Sequence, residues 1–517
     1  MSKKVKILWV DDEINLLRSQ ILFLTEKGYE LTTANSGNDA LILLKDNSYD
    51  LIFLDEMMPG LTGLETLPLI KANHPSTPVI MITKSEEENI MDEAIGNKIA
   101  DYLIKPVSPN QILLTIKKHT EKERLVAEKT AQNYQSDYSK IGISLNDDLS
   151  NADWMEVYKK LVFWELELQT ANAGMDEFLK MQKKEANSAF SKYVKKEYIN
   201  WMNGKNAPLM SHNLMKERVL PLLKNNEKVI FILIDNFRLD QWESVKERVA
   251  EKYNLKEEMY MSILPTATEF ARNAIFSGLT PSQIAELYPQ YWTTDEEETS
   301  HNQFEEDLIG TFFQRFREKI KYCYFKVMEN DFGKRLVDNY KNLLNHQFSV
   351  VVFNFVDMLS HARTESKMIK ELASDEAAYR SLTKSWFDHS PLNDLLQKLE
   401  GEEVKIIITT DHGSIKVDNA IKVVGDRNIT TNLRYKQGKS LNYNPKEVFE
   451  IKQPEKAMLP KSNLSSTYIF ATNGDFFAYP NNYNHYVSYY KDSFQHGGIS
   501  LEEMIIPFII LEPKNLK

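Results

Sequence analysis

Ile406-Ile407-Ile408-Thr409-Thr410-Asp411-His412-Gly413 decides how the C-terminal half of this chain folds. A β-branched run closed by Asp-His-Gly predicts a buried parallel strand that stops where a carboxylate and an imidazole stand together. In open α/β sheets such strand ends line the ligand-binding edge. An adjacent carboxylate and neutral imidazole there supply part of a zinc shell. Two further apolar runs end alike: residues 229–234 stop at Asp235, and residues 350–356 stop at Asp357. Three such strands would set three carboxylates along one edge of one sheet.

A chain of 517 residues is too long for one core and implies several domains. Its net charge of −11 provides no global attraction for nucleic acid or an anionic membrane. The single cysteine, Cys323, excludes an internal disulfide framework and is expected to behave as a small buried hydrophobe. Lys3-Lys4 precede only a short apolar run ending in Asp11-Asp12, unlike a signal peptide, and no apolar stretch is long enough to span a bilayer. The expected location is cytoplasmic, without membrane insertion.

Residues 1–122 alternate apolar strands with amphipathic helices. Strands are predicted at residues 5–10, 31–33, 51–54, 79–82 and 101–104, the βα alternation of a doubly wound parallel sheet. Polar residues fall where these strands end: Asp11 and Asp12, then Asp55, Thr83, and Lys105-Pro106. Clustered carboxylates repel unless a hard cation joins them, and Mg²⁺ suits an all-oxygen site. Asp-Asp, Leu-Asp-Glu-Met-Met-Pro-Gly, Ile-Thr and Ile-Lys-Pro, in this order and spacing, resemble the receiver domain of two-component response regulators. The resemblance implies a CheY-like fold with Asp55 as phosphoacceptor. It also implies a Mg²⁺ site of Asp11, Asp12, Asp55 and the Met57 carbonyl, a switch hydroxyl on Thr83, an aromatic switch at Tyr102, and Lys105 pairing with the phosphate. A cognate histidine kinase and a homodimer formed on phosphorylation are the partners it implies.

From residue 123 to residue 225 glycine and proline become rare, and aromatics recur at helical spacing. Trp154, Val157, Leu161 and Leu168 form one stripe; Phe178, Met181, Phe190 and Tyr193 suggest another. A helical-bundle connector is expected, with these stripes as its core. No basic recognition helix is apparent, so no DNA-binding domain is expected and the output falls to residues 226–517.

In that last region Pro265-Thr266-Ala267-Thr268 runs into a helical pattern. Thr268 falls at the expected helix start, where a hydroxyl and free N–H groups meet an anion; a plain N-cap is the simpler reading. Arg272 lies one turn on, within reach of a bound phosphate. Asp357 and His361 are one helical turn apart, a workable ligand pair, and His496 precedes a Gly-Gly turn and a final strand at residues 505–511.

These motifs resemble the alkaline phosphatase superfamily and, within it, the PglZ-type domain, with an α/β/α fold. The resemblance implies two zinc ions side by side. Asp235, Thr268, Asp411 and His412 would hold one; Asp357, His361 and His496 would hold the other. Thr268 is then the nucleophile and Thr266 its rival. The resemblance further implies phosphodiester hydrolysis in linear or cyclic oligonucleotides. A receiver, connector and PglZ domain in one chain resembles the response regulators associated with type IX secretion.

Residues 416–461 carry ten Lys/Arg against five Asp/Glu. Arg427, Arg434, Lys436 and Lys439 interleave with Asn432, Tyr435, Asn442 and Tyr443, a pattern suited to a polyanionic substrate; Arg272, Arg434 and Lys436 are the expected substrate contacts. Asp295–Glu298 and Glu305–Asp307 are expected to form an exposed acidic excursion in which His301 is no ligand. The competing reading is a zinc-stabilised scaffold that binds a sigma factor or a secretion-system component. Retention of a hydroxyl at Thr268 favours the enzyme.

Overall fold

Alternation along the strand Lys6–Val10 sorts its side chains to two faces. Ile7 and Trp9 join one apolar cluster, and Leu8 and Val10 join another on the opposite face. The same split recurs in Leu51–Asp55 and Val79–Thr83, as expected of strands covered by helices on both sides. The computed structural model describes residues 4–84, 94–96, 98–292, 303–425, 430–461, 466–480 and 483–514. Arg427, Asp295–Glu298 and His301 lie outside the described residues. The chain divides into two compact units, Met1–Asn133 with Ala171–Gly174, and Tyr134–Thr170 with Met175–Lys517.

In the first unit five parallel strands take the order Glu30–Ala34, Lys6–Val10, Leu51–Asp55, Val79–Thr83, Asp101–Ile104. This is the CheY-like order, and its direction reverses between Lys6–Val10 and Leu51–Asp55, where doubly wound sheets bind ligands. The helix Gly63–Asn73 begins against that point. A side chain at Gly63 would run into the carbonyl of Asp55, so glycine lets the helix close on the strand end.

The second unit has a six-stranded sheet in the order Tyr253–Met261, Ile505–Pro513, Lys405–Thr409, Val229–Ile234, Phe348–Phe353, Tyr322–Val327. Only Ile505–Pro513 runs against its neighbours. The described part of the basic stretch, residues 416–425 and 430–461, contributes strands to small sheets. It pairs Asn419–Lys422 with Asp475–Ala478, and Tyr435–Gly438 and Phe449–Ile451 with Thr467–Phe470, around Ile421, Val423, Val448, Ile469 and Phe477.

The boundary between the units falls inside the helix Lys122–Ser144, and the helices Asn151–Ala171 and Asp176–Met202 fold as part of the second unit. Trp154, Val157, Leu161 and Leu168 are buried as expected. The other stripe holds only in its second half: Phe190 is buried and Tyr193 half-buried, whereas Phe178 and Met181 are exposed and Leu179, Gln182, Ala186, Val194 and Tyr198 face the core with Phe190. Polar Gln182 belongs inside because it accepts a hydrogen bond from Tyr134 (3.1 Å) and donates one to the Tyr138 carbonyl (2.9 Å). Cys323 is half-buried on an edge strand, with its thiol toward the Ser349 hydroxyl. Among the described residues no helix is long and apolar enough to cross a membrane.

Candidate functional site

Three neighbouring parallel strands, Lys405–Thr409, Val229–Ile234 and Phe348–Phe353, deliver their C-terminal ends to one edge. Asp235 follows one end directly, and Asp411 lies two residues beyond another. The third strand stops earlier than its apolar run suggests. Phe355–Glu365 is a helix, so Asp357 sits in its first turn and His361 one turn on, their side chains 3.5 Å apart. Two donor sets result: Asp235, Asp411 and His412, and Asp357, His361 and His496, the donor atoms of each lying within 4.8 Å of one another. The His412 and His496 rings stack at 4.2 Å and join the sets. The first set is wholly buried; the second opens outward, with the His361 side chain 63% exposed.

Both imidazoles have their tautomers fixed. His412 Nδ1 faces the Gly413 carbonyl at 3.1 Å, and His496 Nδ1 faces the Thr266 carbonyl at 3.1 Å. A carbonyl only accepts, so each Nδ1 carries the proton and each Nε2 turns a lone pair into the site, as a metal ligand must. Burial pushes the His412 imidazole down to about 4, so it is neutral at pH 7. Burial also holds the Asp235 carboxyl well above the usual carboxylate range, against the pull of Arg272. Its Oδ1 is buried and has no hydrogen-bond partner among the described residues. Asp411, despite burial, is held at about 2 by Arg272 and the neighbouring His412. An orphaned carboxylate oxygen beside two inward Nε2 lone pairs is a donor set that fits a zinc ion.

Thr268 opens the helix Thr268–Ser277, whose N-cap is Ala267 and makes no side-chain cap bond. Its hydroxyl is therefore not spent on capping, and Oγ1 lies 3.1 Å from His412 Nε2. Thr266 is fully buried instead, donating to the Gly498 carbonyl (2.9 Å) and accepting from the Gly497 N–H (3.0 Å).

The expected substrate contacts are placed otherwise. Arg272 is fully buried, with Nε on Asp411 (2.9 Å), Nη1 on Glu305 (3.2 Å) and a further pairing to Asp235. Its charge balances the carboxylate edge and does not face a substrate. Arg434 is likewise buried, with Nε on Glu503 Oε1 at 3.2 Å. Lys436 is 9% exposed and donates to the carbonyls of Thr430 and Thr431. Tyr435 is buried and donates to Glu269; Tyr443 donates to Glu450. Glu305, read from sequence as exposed, is buried and accepts from Arg272 and Tyr324 (2.7 Å). These side chains became structural because buried charge requires a partner.

Lys436 also yields a pH prediction. Burial lowers its ammonium to about 8, so between there and the ordinary lysine value the unfolded chain keeps a proton that the folded chain sheds. Stability must rise with pH across that window. Wild type is expected to gain about 2 kcal/mol over Lys436→Met between about pH 7.5 and about pH 9.5, measured by urea unfolding. A constant difference between the two proteins would show that the buried amine does not titrate there.

Sequence reasoning missed two asparagines. Asn236 has φ 60°, a conformation asparagine tolerates, and so directs its N–H to Asp411 (3.4 Å) and its amide to Asp357 (3.2 Å), one bond to each donor set. Asn354 donates to Asp235 Oδ2 at 3.1 Å. The Asp-Asn pair at the strand end was the available signal. A further acidic cluster, Glu165, Asp240 and Glu376, is neutralised by Arg238, Arg380 and Lys183, whose Nζ lies 2.9 Å from Glu165.

In the first unit Asp11 and Asp55 are buried, and Lys105 Nζ lies 2.9 Å from a carboxylate oxygen of each. Asp12 completes the acidic cluster from the exposed side, and Met57 lies in the exposed turn after Asp55. Burial raises the Asp55 carboxyl, with Lys105 opposing and Asp11 adding to the shift. Thr83 is buried at the end of its strand. Burial raises the Tyr102 phenol, offset by a hydrogen bond with Thr83.

Family models match three segments. Residues 214–511 match the BREX system PglZ alkaline phosphatase-like domain, residues 124–202 the PorX response regulator linker domain, and residues 7–117 the response regulator receiver domain. Among curated proteins, the transcriptional regulatory protein ResD of Bacillus subtilis (strain 168) is 35% identical over 116 residues, 22% of this chain and 48% of that protein. The transcriptional regulatory protein SrrA of Staphylococcus aureus (strain NCTC 8325 / PS 47) is 34% identical over 112 residues, 22% and 46% of the two chains. The chain spans about half the length of the curated relatives it matches. Similar solved structures include chemotaxis protein CheY4 of Vibrio cholerae, 28% identical, covering 23% of this chain and 99% of that chain with a TM-score of 0.22. The receiver domain of NtrX from Brucella abortus is 32% identical, covering 22% and 98% with a TM-score of 0.21.

Proposed function

The chain belongs to the PglZ alkaline phosphatase-like family, with the receiver and linker of a PorX-type response regulator ahead of that domain, and from this membership we propose a phosphorylation-controlled zinc phosphodiesterase. A receiver domain implies a histidine kinase partner. Asp55 is the proposed phosphoacceptor, in a Mg²⁺ site of Asp11, Asp12, Asp55 and the Met57 carbonyl, and homodimer formation is the proposed response. The proposed substrates are linear or cyclic oligonucleotides, and the proposed process is control of type IX secretion.

The observation that carries the reading is Thr268 Oγ1, 3.1 Å from His412 Nε2 at the start of a helix, beside two donor sets joined by stacked imidazoles. Asp235, Asp411, His412 and Thr268 would hold one zinc; Asp357, His361 and His496 would hold the other. When bound, zinc lowers the pKa of a coordinated hydroxyl and offsets charge on phosphoryl oxygens. Thr268 then supplies the attacking oxygen: its bond to phosphorus forms as the bond to the leaving alcohol breaks, and water later releases the phosphoryl group. The N–H groups of Thr268 and Glu269, which open the helix, would face the phosphoryl oxygens. The exposed His361 side is the proposed entrance, and the buried Arg434 and Lys436 lend no support to a basic substrate groove.

Full-length protein purified without chelator is expected to carry about two zinc ions and to hydrolyse an artificial phosphodiester, losing both on chelation and regaining both on zinc addition. Elemental analysis and a chromogenic assay check this. Zinc-loaded protein inactive on every diester and monoester would favour the scaffold.

A further inference from the structure

The linker helix Asp176–Met202 reaches the candidate metal site through one buried asparagine. Asn187, 3% exposed, accepts a hydrogen bond from the Leu501 N–H (2.7 Å) and donates to Glu502 Oε2 (3.0 Å). The Leu501 amide can only donate, so the orientation of the Asn187 carboxamide is fixed. Leu501 begins the short helix Leu501–Met504, and its N–H is one of the first-turn donors that the helix itself cannot satisfy. The other oxygen of Glu502 lies 3.3 Å from Lys183 on the same linker helix, so both carboxylate oxygens of this buried residue meet linker side chains.

That short helix braces both histidines of the site. Glu503, fully buried, accepts from the Gly498 N–H (2.9 Å), two residues past His496, and from the Ser500 hydroxyl (2.7 Å). Its carbonyl accepts from the Gly413 N–H (3.2 Å), the residue after His412. A side chain at Gly413 would run into the Glu502 carbonyl, so the two backbones are in close approach there.

We propose that the linker helix is a working part of the metal site: Asn187 and Lys183 are positioning residues that hold the turn Ser500–Glu503 in the register that turns His496 and His412 inward. Withdrawing the helix leaves Glu502 as a buried unpaired charge and the Leu501 N–H unsatisfied, and the turn must then relax. Movement of this helix is thereby a route by which a signal in the linker changes zinc occupancy. The inference rests on the two-metal reading above.

Its test uses full-length protein and four forms: wild type, Asn187→Ala, Lys183→Met, and Tyr134→Phe, which removes a buried linker hydrogen bond that does not touch residues 500–504. Competition with a chromophoric chelator gives zinc affinity, with the thermal midpoint read alongside. Asn187→Ala is expected to weaken the weaker zinc by about tenfold to a hundredfold, as loss of outer-shell partners does elsewhere. Lys183→Met should weaken it less, and Tyr134→Phe should shift only the midpoint. Hydrogen exchange at residues 496–504 in metal-free Asn187→Ala should be faster than in wild type. Unchanged zinc affinity in both Asn187→Ala and Lys183→Met would overturn the proposal while leaving the two-metal reading intact. If wild type takes up no zinc, that reading fails instead, and the exchange comparison decides the clamp, equal rates overturning it. Should Asn187→Ala not fold, Lys183→Met decides by the same two readouts.

Discussion

Thr268→Val is expected to lower turnover of a chromogenic diester by at least about a thousandfold, because loss of a covalent nucleophile removes a bond and not a contact. Valine keeps the β-branched shape at the first helical position and deletes only the oxygen near His412 Nε2. Asp235, Asp411 and His412 remain, so zinc content should be largely retained. Serine should restore part of the activity, since it returns a hydroxyl with a looser χ1. Thr266→Val is expected to behave differently from a silent control. Its hydroxyl is buried between the Gly497 N–H and the Gly498 carbonyl, and leaving that N–H unsatisfied costs about 1–3 kcal/mol in the loop that carries His496. Thr266→Val should therefore lose thermal stability and zinc, and Thr268→Val should lose neither. Near wild-type hydrolysis by zinc-loaded Thr268→Val would mean that water attacks directly.

Asp55→Asn is expected to abolish labelling by acetyl phosphate. Asp55 stands at the point where the sheet order reverses, with Lys105 Nζ at 2.9 Å and Asp11 beyond it. The amide preserves the shape but is no nucleophile, and it leaves Lys105 paired with Asp11. The monomer–dimer balance, followed by sedimentation with a beryllofluoride mimic, should shift in wild type and stay fixed in Asp55→Asn. Base-labile label persisting in Asp55→Asn would place the phosphoacceptor elsewhere.

Strand positions were legible because burial on both faces demands continuous apolar runs, and the runs at residues 51–54, 79–82 and 229–234 have few other uses. The end of the run at residues 350–356 was not legible. Val356 is apolar in either a strand or a helix, and periodicity over three residues cannot separate them. Phe178 and Met181 were misplaced because hydrophobicity alone sorted them, whereas the helix buries Gln182 and Asn187 along with Phe190 and its other core side chains.

What the sequence by itself determined was local chemistry. Acidic residues at strand ends, a hydroxyl at a helix start and a histidine one turn past an aspartate follow from periods of two and 3.6 residues. What only the tertiary structure decided was which charges are spent on one another. Arg272 and Arg434 look like phosphate contacts in one dimension and are buried counter-charges in three; Glu305 looks exposed and is their equal inside; Asn187 looks like a surface residue of a linker and touches the helix that braces two histidines. A buried polar group must find a partner, and the partners here are separated by 33, 69 and 314 residues, distances over which no sequence period carries information.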